Sequence, residues 1–463
     1  MSTEVIESEK TQNPLGYTPI GSLLRKFAIP SIISMVVSAL YNIVDQIFIG
    51  QGVGMLGNAA TNVAFPTTTI TVALSLLVGI GGAANYNLAL GRKQEERARK
   101  IAGTAFGSLI LFGFLFCIGI RMFLEPVVLA CGATEQTLDY SLSYIGITSL
   151  GFPFYMLTTG GNHLIRADGK PAYSMASMLS GAVINTILDP LFIFVFHWGI
   201  GGAALATVIG QIFSALMVLF YLPKYHHGSL KIRDFIPNLQ YFRDIAALGS
   251  ASCLNQLAIT VVQILLNNIL RHYGSLSPYG SDIPLAVSGI VMKVNMLFLS
   301  VVIGISQGAQ PLISFNFGAE HYSRVKQSYL LAAKYASAIA FAGFLCFQIF
   351  PRQLVGLFGS GDALYQEFAV KFFRIYLFCT FFNGLQPVTS NFFTSIGKAT
   401  KGIFLSMTRQ IIFLVPLLIL FSMIFGIEGV MFAGPISDAA AGITALLLVS
   451  GEFRNISRLH NKN

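Results

Sequence analysis

From Arg25 and Lys26 onward the chain is a succession of long apolar runs separated by short polar stretches, centred near residues 38, 70, 111, 149, 185, 213, 257, 298, 338, 376, 414 and 440. A helix that crosses a bilayer needs about 20 predominantly apolar residues, and each run supplies a segment of that order. The pattern predicts an all-α integral membrane protein with twelve transmembrane helices. The segment before them, MSTEVIESEKTQNPLGYTPI, is polar and partly acidic. It lacks a basic stretch leading into a short apolar core, so a tail is expected there rather than a cleavable signal.

Cations set the orientation, because Lys and Arg of short loops stay on the cytoplasmic side. Arg92, Lys93, Arg97, Arg99 and Lys100 follow the second run; Arg166 and Lys170 follow the fourth; Lys224, Lys231, Arg233 and Arg243 follow the sixth. Arg324 and Lys326 follow the eighth, and Lys398 and Lys401 the tenth, while Arg454, Arg458 and Lys462 close the chain. The intervening loops carry only Arg121, Arg271 and Arg352 at their edges. An even number of spans with both termini in the cytoplasm satisfies all of these loops, which predicts a multi-pass protein of the plasma or inner membrane.

Shifting the sequence by about 227 positions lays its second half over its first. Gly91 falls on Gly318, Arg97 on Arg324, Gly169 on Gly397, and Gly199, Ile200 and Gly202 on Gly426, Ile427 and Gly429; Ala206 falls on Ala433. With six spans in each half, both halves enter from the same side, so two six-helix bundles related by a pseudo-twofold axis along the membrane normal are expected. The expected division is a cytoplasmic N-terminal tail (1–22), an N-lobe (23–223), a cytoplasmic linker (224–243), a C-lobe (244–452) and a cytoplasmic C-terminal tail (453–463). Lys224, His226, His227 and Pro237 fall in the linker. Two such lobes enclose a cleft that can face either side in turn.

Composition narrows the function. Only 11% of residues are charged and 54% are hydrophobic, against roughly 25% charged in a soluble domain; an ordinary cytosolic enzyme is excluded. The 45 glycines fit close helix packing. Gly79 to Gly82 could imitate a phosphate loop, but no GxxxxGK[ST] occurs. The five cysteines, Cys117, Cys131, Cys253, Cys346 and Cys379, are dispersed without a CxxC and are read as packing residues. The net charge of +9 is spread over loops, which argues for membrane orientation and against nucleic acid. No HExxH or GxSxG is present.

Seventeen of the twenty acidic residues fall in tails, loops or span ends; Asp45, Asp189 and Asp438 do not. A mid-span Asp costs roughly 2.5–3.5 kcal/mol on insertion scales, so each needs a partner, a wet cavity or a proton. Tyr41 precedes Asp45 by four residues and Asn185 precedes Asp189 by four, which puts each pair on one helical face. Pro190 removes a backbone donor and frees the carbonyl of Thr186. A carboxylate, an amide oxygen and that carbonyl make an oxygen-rich pocket for sodium or a proton; the competing reading is a pair of satisfied structural acids above a simple kink at Pro190. Asp438 shares its half with Lys293 and Arg409, so a buried ion pair and a transport role both stay open. Pro30 is a candidate hinge in the first span, although a proline in the first turn of a helix is often neutral. His163, near Arg166 and Asp168, is read as a solvated span end.

The twelve spans, the repeat, IP at Pro30, YNIVD, RADGKPAYSM, NTILDP and GIGGAALATVIGQ together resemble the multidrug and toxic compound extrusion (MATE) family of the multidrug/oligosaccharidyl-lipid/polysaccharide exporter superfamily, over nearly the whole chain after residue 20. The resemblance implies a secondary antiporter that exports amphiphilic or cationic compounds in exchange for protons or sodium ions, working as a monomer without a cofactor. It also implies a coupling site at Asp45, Asn185 and Asp189 lined by Tyr41, Asn162 and Thr207, with Pro30 as the point where span one bends. Family members with acids on spans seven and ten differ from this sequence, which has Asn267, Asn268, Gln386 and Asn391 there. The rival readings are a lipid-linked precursor flippase of the same superfamily, a polytopic membrane enzyme, and a channel or receptor. Twelve spans and few clustered cations weigh against the flippase, dispersed His, Asp and Cys against the enzyme, and the two-lobe repeat against a continuous pore.

Overall fold

The computed structural model describes residues 13–225, 230–280, 282–356 and 363–460. Residues 1–12 of the expected tail, His226 and His227 of the expected linker, and Lys462 lie outside the described residues. Every regular element described is a helix. The first half comprises α1 (Ile20–Gly52), α2 (Met55–Gly91), α3 (Glu95–Met122), α4 (Leu138–Ala167), α5 (Pro171–Pro190) and α6 (Gly199–Tyr221). The second comprises α7 (Leu239–Ser275), α8 (Asp282–Gly318), α9 (Tyr322–Ile349), α10 (Ala363–Tyr376), α11 (Leu385–Ser395), α12 (Ala399–Met407), α13 (Val415–Phe425) and α14 (Ile427–His460). Short helices and turns connect them.

Ten of these helical segments are long and apolar enough to cross a membrane, with α12 and α13 counted as one; the number rises to eleven if α10 and α11, bent by 55° at their junction, form a single span. The expected twelve is reached only by including α4, a 30-residue helix. Serine, threonine, tyrosine and glycine are spread along it from Ser141 to Gly161, which makes it less apolar than the other spans. By length and apolarity ten or eleven spans stand out, one of them broken, and α4 makes up the expected twelve.

The repeat recurs in backbone conformation. Six left-handed residues among those described fall in pairs: Lys93 (φ 59°) and Glu320 (φ 61°), Gly169 (φ 86°) and Gly397 (φ 81°), Gly199 (φ 55°) and Gly426 (φ 61°). Members of each pair lie 227 or 228 positions apart. Positive φ strains residues with a Cβ, so glycine at four of these six positions marks the same turns in each half.

The halves touch through equivalent glycines. A Cβ on Gly308 of α8 would stand 2.5 Å from the Cα of Ala28, and one on Gly304 would stand 2.6 Å from the Cα of Ile32, so α8 and α1 cross backbone to backbone. Gly81, which is 227 positions before Gly308, meets Ile245 and Gly249 of α7 in the same way. Polar ties close the same end: Arg97 pairs with Asp244 at 3.1 Å, Asn85 donates to the Asp244 carbonyl at 2.9 Å, and Gln310 donates to the Ile80 carbonyl at 3.1 Å.

The core divides accordingly. At this end one apolar cluster joins both halves, running from Leu23 and Phe27 through Tyr86, Phe106 and Leu164 to Leu312, Phe315 and Val449. Toward the opposite end it splits: Val287, Phe368, Phe372 and Leu418 form a cluster of second-half residues alone, while Val63, Ile120, Ile145 and Phe152 belong to the first half alone. The halves are joined at the end whose loops carry Arg92, Arg97, Arg324 and Lys398, and keep separate cores toward the other.

Replacing Gly249 with Ala would place a Cβ against the Leu77 carbonyl. Rigid backbone cannot yield as a side chain can, so this overpacking is expected to cost about 1–3 kcal/mol. Gly119→Ala, where nothing lies within 4 Å, serves as the control. Thermal unfolding in detergent should show a lowered midpoint for Gly249→Ala and none for Gly119→Ala; equal midpoints would contradict the crossing.

Candidate functional site

Asp45 projects from α1 and Asp189 from α5, and the two carboxyl groups meet in hydrogen-bonding contact inside the first half. Asp189 is fully buried, while Asp45 is half-buried with its Oδ1 buried and without a donor. Asn185, one turn before Asp189, is buried between it and α6. With its amide oriented to satisfy both neighbours, Asn185 donates to Asp189 Oδ2 at 3.0 Å and accepts from the hydroxyl and the backbone N–H of Thr207, each at 3.2 Å. The amide thus links α5 to α6 and leaves one carboxylate oxygen of Asp189 free to face Asp45.

Local sequence explains how α5 presents this group. Pro190 has no N–H, so the regular ladder stops beside Asp189. The helix continues as a π-helical turn over Leu191–Val195 instead of kinking sharply. Such widened turns recur at functional sites. Pro30, the other candidate hinge, lies inside an unbroken α1; Ser34 donates to its carbonyl at 2.8 Å.

Tyr41 lies on the Asp45 face of α1, near Asp45, Asp189, Tyr144 and Tyr155. Tyr144 is close to both acids. The two α4 tyrosines were missed in the sequence, although their spacing of eleven residues, three helical turns, puts them on one face. Asn162 does not join them. Its carbonyl accepts from Ser174 at 3.2 Å, and Ser174 lies eleven residues along α5 from Asn185, about 16 Å away. Its side chain is buried and makes no hydrogen bond with the described residues. The expectation that Asn162 lines the acid pocket is corrected: α4 and α5 run antiparallel, and residues near their shared turn sit at the sealed end.

His163, Arg166 and Asp168 are likewise not a solvated span end. All three are buried. Arg166 meets His163 Nδ1 at 2.9 Å and donates across the seal to Gln307 at 3.1 Å. Asp168 accepts from Tyr86 at 2.7 Å and from Tyr221 at 2.6 Å. The second half covers this turn, and a sequence pattern carries no sign of that cover.

In the second half Arg409 Nε donates to Asp438 at 2.6 Å, and Asn383 donates to the other carboxylate oxygen at 3.0 Å. The alternatives left open for Asp438 narrow to an ion pair in this state, and Lys293 takes no part in it. Asn391 donates to the Ser306 carbonyl at 2.7 Å, and Gln386 to the Leu405 carbonyl at 2.8 Å. Asn267 accepts from Gln263 at 3.0 Å.

The MatE family model matches residues 30–191 and again 251–438, once in each half. The chain belongs to the MatE family. It is a membrane transporter, not an enzyme. The MatE chain is 24% identical over 433 residues to the multidrug export protein MepA of Staphylococcus aureus (strain MRSA252), covering 93% of this chain and 94% of that one. It is also 24% identical over 424 residues to MepA of Staphylococcus haemolyticus (strain JCSC1435), covering 91% and 92%. In fold it is similar to a MATE crystallised in complex with MaL6, with a TM-score of 0.89 at 22% identity over 96% of this chain and 99% of the other. It is similar as well to the outward-facing conformation of a multidrug resistance MATE family transporter of the MOP superfamily, with a TM-score of 0.87 at 23% identity over 94% and 96%.

Within this MatE fold the Arg409–Asp438 pair is separable from the acid pocket by stability. Removing one partner of a buried pair costs about 3–5 kcal/mol, whereas replacing both with apolar residues is often neutral. Asp438→Leu alone should lower the unfolding midpoint and the abundance in membranes, and Asp438→Leu with Arg409→Met should recover most of the loss. A double variant as unstable as the single would show that the pair does more than neutralise itself.

Proposed function

We propose that this MatE transporter is a secondary multidrug antiporter, exporting amphiphilic drug-like compounds in exchange for protons or sodium ions that bind at Asp45 and Asp189. The observation that carries the reading is the contact between two carboxyl groups with no cationic side chain beside them among the described residues. Two carboxylates in contact repel, so such a pair holds a shared proton or a cation between them. Its occupancy therefore changes the charge and hydrogen bonding of the first half. The likeness to two MepA multidrug export proteins supports drug-like substrates and the outward direction of transport.

The positive loops cluster at the sealed end, which supports a cytoplasmic location for that end and for both termini. On this assignment the cleft opens outward, in the state that takes up the coupling ion and releases the drug. Residues 23–223 and 244–452 act as the two lobes, joined by 224–243. One chain supplies both walls of the cleft, so a monomer suffices. Coupling requires that ion and drug bind the inward- and outward-facing states with different affinities, because a ligand that binds both equally shifts nothing. Asn185 and Thr207 hold Asp189 in place, and Tyr41, Tyr144 and Tyr155 surround the pair with hydroxyls.

The test is dye efflux in proteoliposomes with pH and sodium gradients imposed separately, comparing the wild type with Asp45→Asn and Asp189→Asn at equal abundance. One gradient should drive export by the wild type, and each variant should lose that dependence while keeping dye binding. Full gradient-driven export by both variants would overturn the assignment.

A further inference from the structure

Lys293 lies within an apolar span of the second half and, unlike Arg409, has no ion pair among the described residues. It lies on α8, eleven residues beyond Asp282, so it sits about 16 Å below the open end of that helix. It is half-buried and makes no hydrogen bond or ion pair with the described residues. An ammonium held at that depth without a counter-charge is costly, and such residues face a wet cavity or a ligand path.

Helix geometry says which way it points. Val287 and Val291 turn the buried face of α8 into the second half, and Lys293, two residues after Val291, projects about 200° away from it. Gly304 lies eleven residues further on, three turns, and so shares the Lys293 face. That face is the one that meets α1, where Gly304 touches Ile32 and Gly308 touches Ala28. The antiparallel pairing brings Lys293 level with Ile43, two residues from Asp45. The face of α1 that continues from Ile32 toward this level carries Val36, Leu40, Ile43 and Ile47, of which Leu40 and Ile47 are exposed. Asp45 lies thirteen residues from Ile32, on the far side of α1, and faces into the first half. Lys293 thus faces an apolar stretch of α1 at the depth of the acid pair, with no counter-charge on it among the described residues.

We infer that Lys293 binds an anionic group on the substrate, so that the cleft takes zwitterionic or anionic amphiphiles, compounds that join an apolar ring system to a carboxylate or sulfonate. This rests on the exporter reading and names its substrate class. The apolar body of such a ligand covers α1 while its acid group meets the ammonium. A purely cationic amphiphile would bury its charge beside a like charge.

A rhodamine with a free carboxylate and the methyl ester of the same dye differ by that charge alone. Equilibrium binding of each to the detergent-purified protein should give tighter binding of the carboxylate form. Lys293→Met should weaken that form about tenfold and leave the ester within about twofold, and Lys293→Arg should keep the wild-type preference. Equal effects on both dyes, no effect on either, or a wild type that prefers the ester or binds neither dye would overturn the inference. Binding needs no ion gradient. Intact discrimination between the dyes with no gradient-driven efflux would fault the antiporter reading alone, whereas gradient-driven efflux without discrimination would fault Lys293 alone.

Discussion

The approach of backbone to backbone where α1 crosses α8 and α2 crosses α7 is the constraint on which the rest of the molecule depends. Only residues without a Cβ allow it, and Gly81, Gly249, Gly304 and Gly308 supply that absence. In a bilayer, helices gain little by leaving lipid for one another, so close packing and interhelical hydrogen bonds must hold them. Concentrating both at one end leaves the other end unpaired. The division of the core follows from the seal: with the halves pinned near Ala28, Gly81 and Gly249, each half completes its own core toward the other end.

The repeat supplies the scaffold, and departures from it supply the chemistry. Turns with positive φ occur at matching places in both halves, yet the charges do not match. The first half encloses two acids with no cation beside them among the described residues, while the second buries Asp438 against Arg409. At the sealed end the first half holds Asp168 with two tyrosine hydroxyls, whereas the second clamps Glu452 between Lys398 at 2.5 Å and Lys401 at 2.7 Å. Asp438 and Glu452 are compensated by cations of their own half. Asp45 and Asp189 have no such partner among the described residues.

Much of this was legible in the chain. The apolar runs located the helices, and spacing within one helix, Tyr41 to Asp45 and Asn185 to Asp189, put the right side chains on shared faces because an α-helix repeats every 3.6 residues. What failed to read out was depth and cover, which depend on other helices. Asn162 shares the first half with the acids but lies a helix turnaround away from them. Arg166 and His163 looked like a wet end because nothing in their neighbourhood of sequence announces that Gln307, 141 positions later, closes over them. Tyr144 and Tyr155 carried a weak signal in their spacing, one easily lost among the 17 tyrosines.

The contrast between Asp438 and the Asp45–Asp189 pair shows why burial alone does not identify a coupling group. A carboxylate paired with a fixed guanidinium keeps its compensation in every state that preserves the pair, so moving the lobes need not alter its charge. A carboxylate whose neighbour is another carboxylate has no resident compensation, and the proton or cation that supplies it must come from solvent. Whatever changes solvent access to that pocket then changes the equilibrium between the two shapes of the protein, and by linkage the shapes change the affinity for the ion. Asn185 fixes Asp189 by donating to one oxygen and leaves the other directed at Asp45. The amide sets the geometry of the pocket, and its missing charge leaves the pocket's occupancy to the membrane's ion gradients.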